Sequence, residues 1–179
     1  MDSKLLTTAI LVILALLVFW GLRRGWLARR GRQADLAPLP EVPEELDGAE
    51  AAFGPRVQYV STTAAGDWLD RIAAQGLGMK ANGRALVFPD GLIVAREGAR
   101  DLWIPAGSIE VLRRESGMAG KFVEREGLVV VTWRLGDRLL DTGLRTRAAA
   151  EAAPLLEALR EIAPEAADAL PGTDRASAS

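Results

Sequence analysis

The sequence predicts a mainly β protein. One amino-terminal membrane-spanning helix is followed by a small antiparallel domain of about seven strands, a barrel or a sandwich, that ends in a helix. Three observations predict this. Leu5 to Leu22 (LLTTAILVILALLVFWGL) run for 18 residues without a charge. From Arg56 to Arg145, short β-prone segments alternate with turn residues at near-even spacing. Arg147 to Ile162 then carries a single apolar stripe at helical period.

A helix rising 1.5 Å per residue carries the uncharged run through about 27 Å, close to the roughly 30 Å of a bilayer's hydrocarbon core. Arg23, Arg24, Arg29, Arg30 and Arg32 follow at once, bracketed by Trp20 and Trp26. By the positive-inside rule the chain after Arg23 is cytoplasmic and Met1 to Lys4 is outside, in a single-pass plasma-membrane topology. A cleavable signal peptide would place its positive charge before the apolar run and end it at a small-x-small site, and neither feature is present. Residues 23–32 therefore read as a basic juxtamembrane segment, with Trp20, Arg23, Arg24, Trp26, Arg29, Arg30 and Arg32 at the membrane interface.

Gln33 to Ala52 has prolines at 38, 40 and 43 and six acidic residues against no basic one. Such composition predicts an extended, solvated linker. The domain is expected over 53–170, where 15 Lys and Arg face 15 or 16 Asp and Glu, depending on where the boundary is cut. That balance, with arginines scattered among acidic neighbours, argues against nucleic-acid binding. The chain has no cysteine and no histidine. Disulfides, zinc-thiolate sites, histidine metal ligation and histidine acid-base chemistry are thereby excluded, and no cofactor, metal or enzymatic activity is expected.

Within the domain, Arg56 to Thr63 (RVQYVSTT) alternates as a strand should. Asp67 to Gln75 (DWLDRIAAQ) places Trp68, Leu69 and Ile72 at helical spacing before Gly76, which predicts a short helix covering one sheet edge. Asn82-Gly83 and Pro89-Asp90-Gly91 read as turns bracketing the strand Arg84 to Phe88, with Leu92 to Arg96 returning. Strands follow at Asp101 to Ile104, Ile109 to Arg114, Gly127 to Leu135 and Leu139 to Arg145, broken at Pro105 to Ser108 and at the Gly136-Asp137 turn. In the final helix Leu155, Leu156, Leu159 and Ile162 form the apolar stripe, Thr146 is the expected N-cap, and Pro154 is a candidate kink. A strand-rich barrel followed by one amphipathic helix predicts that the helix plugs an open end. Pro171 to Ser179 (PGTDRASAS) reads as a disordered tail.

The segments LWIPAGSIEVL and EGLVVVTWRLGDRLLDTGLR, with the Ala-rich helix after them, resemble actinobacterial membrane proteins that carry one amino-terminal anchor and a PH-like (pleckstrin-homology-like) domain. The resemblance implies a PH-like antiparallel β-barrel capped by a C-terminal helix. It implies no particular activity, and members are often labelled as transporters or export proteins.

Motifs of chemistry are weak. Gly76 to Ala81 has the spacing of a dinucleotide loop but follows a helix-like segment and runs into a turn signal. Gly120-Lys121 is followed by Phe122 where a phosphate loop needs Ser or Thr. The carboxylates Asp137, Asp141, Glu124 and Glu126 have no catalytic spacing and read as solvated or turn-capping. Trp68, Trp103 and Trp133 read as barrel filling. The candidate recognition element is the loop Arg113 to Arg125 (RRESGMAGKFVER), in which Arg113, Arg114, Lys121 and Arg125 supply charge and Met118 and Phe122 apolar contact. Phosphoinositide-binding PH domains carry basic residues on the first hairpin, and that region here offers Arg56, Lys80 and Arg84 without a dense cluster.

The expected function is therefore a membrane-anchored cytoplasmic interaction or scaffold module that docks a protein partner at the inner membrane face. An anionic-lipid-sensing module, or an accessory subunit of a transport or export complex, is the alternative. A single uncharged span builds no solute path by itself.

Overall fold

The computed structural model describes residues 12–14, 17, 20, 36–115, 117–118, 121–122 and 127–168. Residues 12–14, 17 and 20 are helical. The rest of the expected span, the cluster Arg23 to Arg32 with Trp26, Arg125 and the tail from Pro171 lie outside the described residues. Among the described residues no helix is long and apolar enough to cross a membrane. The chain divides into two compact units, Met1–Leu36 and Ala37–Ser179.

The second unit is a meander of antiparallel strands: β1 (Arg56–Ala64), β2 (Asp67–Arg71), β3 (Ala81–Phe88), β4 (Gly91–Arg96), β5 (Leu102–Pro105), β6 (Ile109–Glu115), β9 (Leu128–Leu135) and β10 (Arg138–Thr146), with the short hairpin β7 (Gly117–Met118) and β8 (Lys121–Phe122) between β6 and β9. The sheet runs β5-β4-β3-β1-β10-β9-β6, and β2 branches from β1. It is not the closed barrel expected from the strand count. β5 and β6 are consecutive in the chain yet form opposite ends of the order, separated by Pro105 and the 3-10 turn Ala106–Ser108. Proline has no N–H to give a ladder and belongs on an edge strand.

Helix α1 (Ala152–Ile162) closes the fold as predicted. Its buried residues Ala152, Leu155, Leu156 and Leu159 lie against β3 from one half of the sheet and β6 and β9 from the other. Its start differs from expectation. Thr146 ends β10, a 3-10 turn (Ala149–Glu151) leads in, and Glu151 is the N-cap without a side-chain capping bond. Pro154 falls in the first turn, where its missing N–H has no helical partner in any case. After the helix, Ala167 seals the β6 edge, its N–H donating to the Glu110 carbonyl (2.9 Å) and its own carbonyl accepting from Leu112 N–H (2.9 Å).

Three further expectations are corrected. Asp67–Arg71 is a bulged strand, not a helix. Thr63 pairs with Arg71 and Ala64 with Asp67, so residues 68–70 loop out and Leu69 is exposed. The ladder wins because Ile72, fully buried, donates its N–H to the Thr62 carbonyl (2.9 Å). Asn82-Gly83 is strand, not turn. A Cβ on Gly83 would lie 1.8 Å from the Ala95 carbonyl oxygen, so glycine here permits close approach of β3 and β4. Part of the expected linker packs on the domain. Val42, Leu46 and Ala51 cover Phe88, Ile93 and Trp103, and Gln75 clamps the segment by accepting from Leu39 N–H and donating to the Ala37 carbonyl, both at 2.9 Å.

Side-chain alternation then defines two faces. The inner face carries Tyr59, Leu92, Ile104, Trp133, Leu140 and Leu144, all buried under α1 and the loop at Leu77. The Tyr59 hydroxyl donates to the Leu77 carbonyl (2.6 Å) and meets Thr62 (2.7 Å), which reaches Thr142 (2.8 Å), itself the acceptor for Trp133 Nε1 (2.9 Å). Burial pushes the Tyr59 phenol up to about 12. Trp103, expected inside, instead sits on the outer face beneath the proline-rich segment. The side chain of Trp68 lies outside the description.

Candidate functional site

The outer face of β1, β3, β4 and β10 gathers the basic side chains that the sequence scatters. Cross-strand partners share a face, and the register aligns Arg145, Gln58 and Asn82 in one row and Arg56 with Arg84 in the next. Past the strand ends, Arg147 N–H donates to the Arg56 carbonyl (2.9 Å) and Glu97 N–H to the Asn82 carbonyl (2.8 Å), which adds their side chains to the rim. Together these residues line an open depression of about 440 Å³. Four guanidiniums face one carboxylate there.

Arg56 and Arg84 stand directly opposite each other across two strands, an arrangement that disfavours folding when nothing anionic intervenes. Arg84 is fixed, its Nε and Nη2 donating to the Gly54 carbonyl at 3.2 and 2.9 Å. Such a face is suited to carboxylates or other oxyanions, because guanidinium forks present paired donors in one plane. Among the described residues no three carboxylates converge to hold a metal ion.

Beside the depression, on the same face, lies the packed proline-rich segment. Leu86 and Phe88 continue the Arg84 side of β3, and Ile93 and Ala95 the Glu97 side of β4; these are the residues the segment covers. Its apolar side chains point inward and Glu41, Glu44, Glu45, Asp47 and Glu50 are exposed. Glu41 makes a 3.7 Å contact with Arg100, both largely exposed.

The loop singled out in the sequence divides differently. Arg113 belongs to β6 and lies across the outer face, its Nη2 donating to Asp141 Oδ2 (2.8 Å), Nη1 to Thr132 Oγ1 (2.6 Å) and Nε to Glu115 Oε1 (3.0 Å). Asp141 is only 3% exposed and also accepts from Thr132 (2.6 Å), so it is a buried structural carboxylate, not a solvated one. Burial works against the Arg113 charge, but the hydrogen bonds and charge of Asp141, with those of Glu115, outweigh it and raise its pKa above the ordinary arginine value. Arg113 is therefore not offered to a partner. Arg114 is exposed at the strand end. The backbones of Met118, Lys121 and Phe122 form the β7–β8 hairpin, and Arg125 lies outside the described residues.

Of the first-hairpin residues, Arg56 and Arg84 meet in the depression and Lys80 does not line it. Arg145 and Arg147 were not read as recognition residues. Their spacing of two at the end of a strand was the available signal, but the register that carries them to Arg56 is set by pairing across about ninety residues.

A family model described as Bacterial PH domain-like matches residues 36–160. No curated protein matches the chain.

Proposed function

Because the chain belongs to the Bacterial PH domain-like family, whose domains bind proteins or lipids, we propose that it is a non-enzymatic docking module, held at the inner face of the plasma membrane by Leu5 to Leu22, that receives an acidic segment of a protein partner in the arginine-lined depression. The observation that carries this reading is the convergence of Arg56, Arg84, Arg145 and Arg147 around one opening, with Glu97 as the only carboxylate among the described residues that line it. The uncharged run and the five arginines after it support the membrane location. An extended acidic strand suits the site better than a flat charged surface does, because the depression is concave and four arginines are among the residues that line it.

The test uses the compact unit Ala37–Ser179. A fluorescent hexaglutamate peptide is expected to bind, to weaken at least tenfold between 50 and 500 mM salt by screening, roughly as the Debye length shortens from about 14 to 4 Å, and to lose binding in Arg56→Glu/Arg147→Glu. Flotation of the same fragment on anionic vesicles, with no peptide binding, would replace the protein partner by lipid.

A further inference from the structure

We propose that the acidic segment received by the depression is the one carried by a second copy of this chain. The inference rests on the proposed reading of the depression as a site for acidic segments, and it adds the identity of the occupant. Two copies would meet outer face to outer face, each setting the ridge from Glu41 to Glu50 against the other's arginines.

Three observations carry it. First, the two charged surfaces lie side by side on one face. The depression spans β10, β1 and β3, and the ridge covers the ends of β3, β4 and β5. Two strands across at about 4.8 Å each and about four residues along at roughly 3.3 Å each put their centres on the order of 15 Å apart. A two-fold axis lying in the plane of this face, between them and perpendicular to the line that joins their centres, exchanges positive for negative and brings each onto its complement. Self-complementarity of this kind is what a closed symmetric dimer requires.

Second, the ridge is already ordered. Val42, Leu46 and Ala51 are held against Phe88, Ile93 and Trp103, and Gln75 clamps Ala37 and Leu39. The acidic side chains therefore project from a fixed backbone, and the ordering cost that weakens a flexible partner is avoided.

Third, several of these charges have no ion pair within one copy. Among the described residues, Glu44, Glu45, Asp47 and Glu50 form no ion pair, and neither do Arg56 and Arg147.

The full chain in detergent tests this by sedimentation equilibrium. The wild type is expected to be dimeric at 50 mM salt and to shift to monomer at 500 mM. Two reversed chains are then compared, one carrying Glu44→Lys, Glu45→Lys and Asp47→Lys, the other Arg56→Glu and Arg147→Glu. All five positions are exposed. Each reversed chain alone is expected to be monomeric, since its ridge and depression now share a sign. An equimolar mixture is expected to restore the dimer, because both contacts in the mixed pair are again opposite in charge.

A wild type that is monomeric at low salt overturns the inference. So does a reversed chain that dimerises like the wild type, or a mixture that stays monomeric. Hexaglutamate binding by the wild type, measured alongside, separates the two readings. Binding retained without dimerisation leaves the depression as a site for another protein's acidic segment, and loss of both removes that site too.

Discussion

Arg113 and Arg96 are both withdrawn from solvent, and the contrast between them separates structural from recognition charge. Arg96 has no carboxylate on its guanidinium among the described residues. It lies 4.8 Å over the Tyr59 ring and donates to the carbonyls of Gly76 (2.9 Å) and Arg100 (2.9 and 2.5 Å), tying two loops to the inner face. Arg113 is neutralised by Asp141 across the sheet. Asp141→Ala would leave that guanidinium with only the half-exposed Glu115 as an ionic partner, and the domain is expected to lose roughly 3 kcal/mol in urea denaturation. The sequence displayed Arg113 as one of four basic residues in a loop. Its partner lies 28 positions away, and only pairing between β6, β9 and β10 brings the two together.

Tyr59, the chain's one tyrosine, gives a second residue-scale outcome. Its phenol ionises at about 12 in the folded protein against an ordinary value of 10.0. Between those values the unfolded chain releases a proton that the folded one keeps. Stability from this group is therefore complete below pH 10 and declines as pH rises to 12, by about 3 kcal/mol in all. Absorbance at 295 nm should show no tyrosinate at pH 10.5, and Tyr59→Phe should remove this part of the alkaline decline.

At the scale of elements, the strands with strong turn residues on both sides were the legible ones. Pro89-Asp90 joins β3 to β4 and Gly136-Asp137 joins β9 to β10, and the amphipathic stripe located α1. Elements were misread where a local signal served a non-local purpose. Asp67 looks like a helix start, and its carboxylate does accept from Leu69 and Asp70 N–H (3.1 and 3.2 Å), but the ladder with β1 takes the chain on as a strand. Gly83 looks like a turn residue beside Asn82, and its use is the narrow gap to Ala95. Gly83→Val should therefore break the β3–β4 pairing and cost roughly 3 kcal/mol. It would be read as a lowered melting temperature and faster amide exchange in Leu92 to Arg96.

For the whole molecule, overall charge balance concealed local imbalance. A chain of net charge −2 carries an arginine-lined depression and an acidic ridge next to each other on one face. Composition alone could not reveal this, because the residues involved come from positions 41 to 147 and meet only through sheet register and the packing of a proline-rich segment that composition marks as a free spacer. The family match spans residues 36–160, which include that segment.

The proposed function requires that this depression, and not the β7–β8 hairpin, receive an acidic segment. Mapping amide shifts of Ala37–Ser179 by NMR during titration with hexaglutamate tests it most directly. Shifts concentrated at Arg56, Gln58, Asn82, Arg84, Arg145 and Arg147 are the predicted result. Shifts centred on Gly117 to Phe122, or none at saturating peptide, would contradict it.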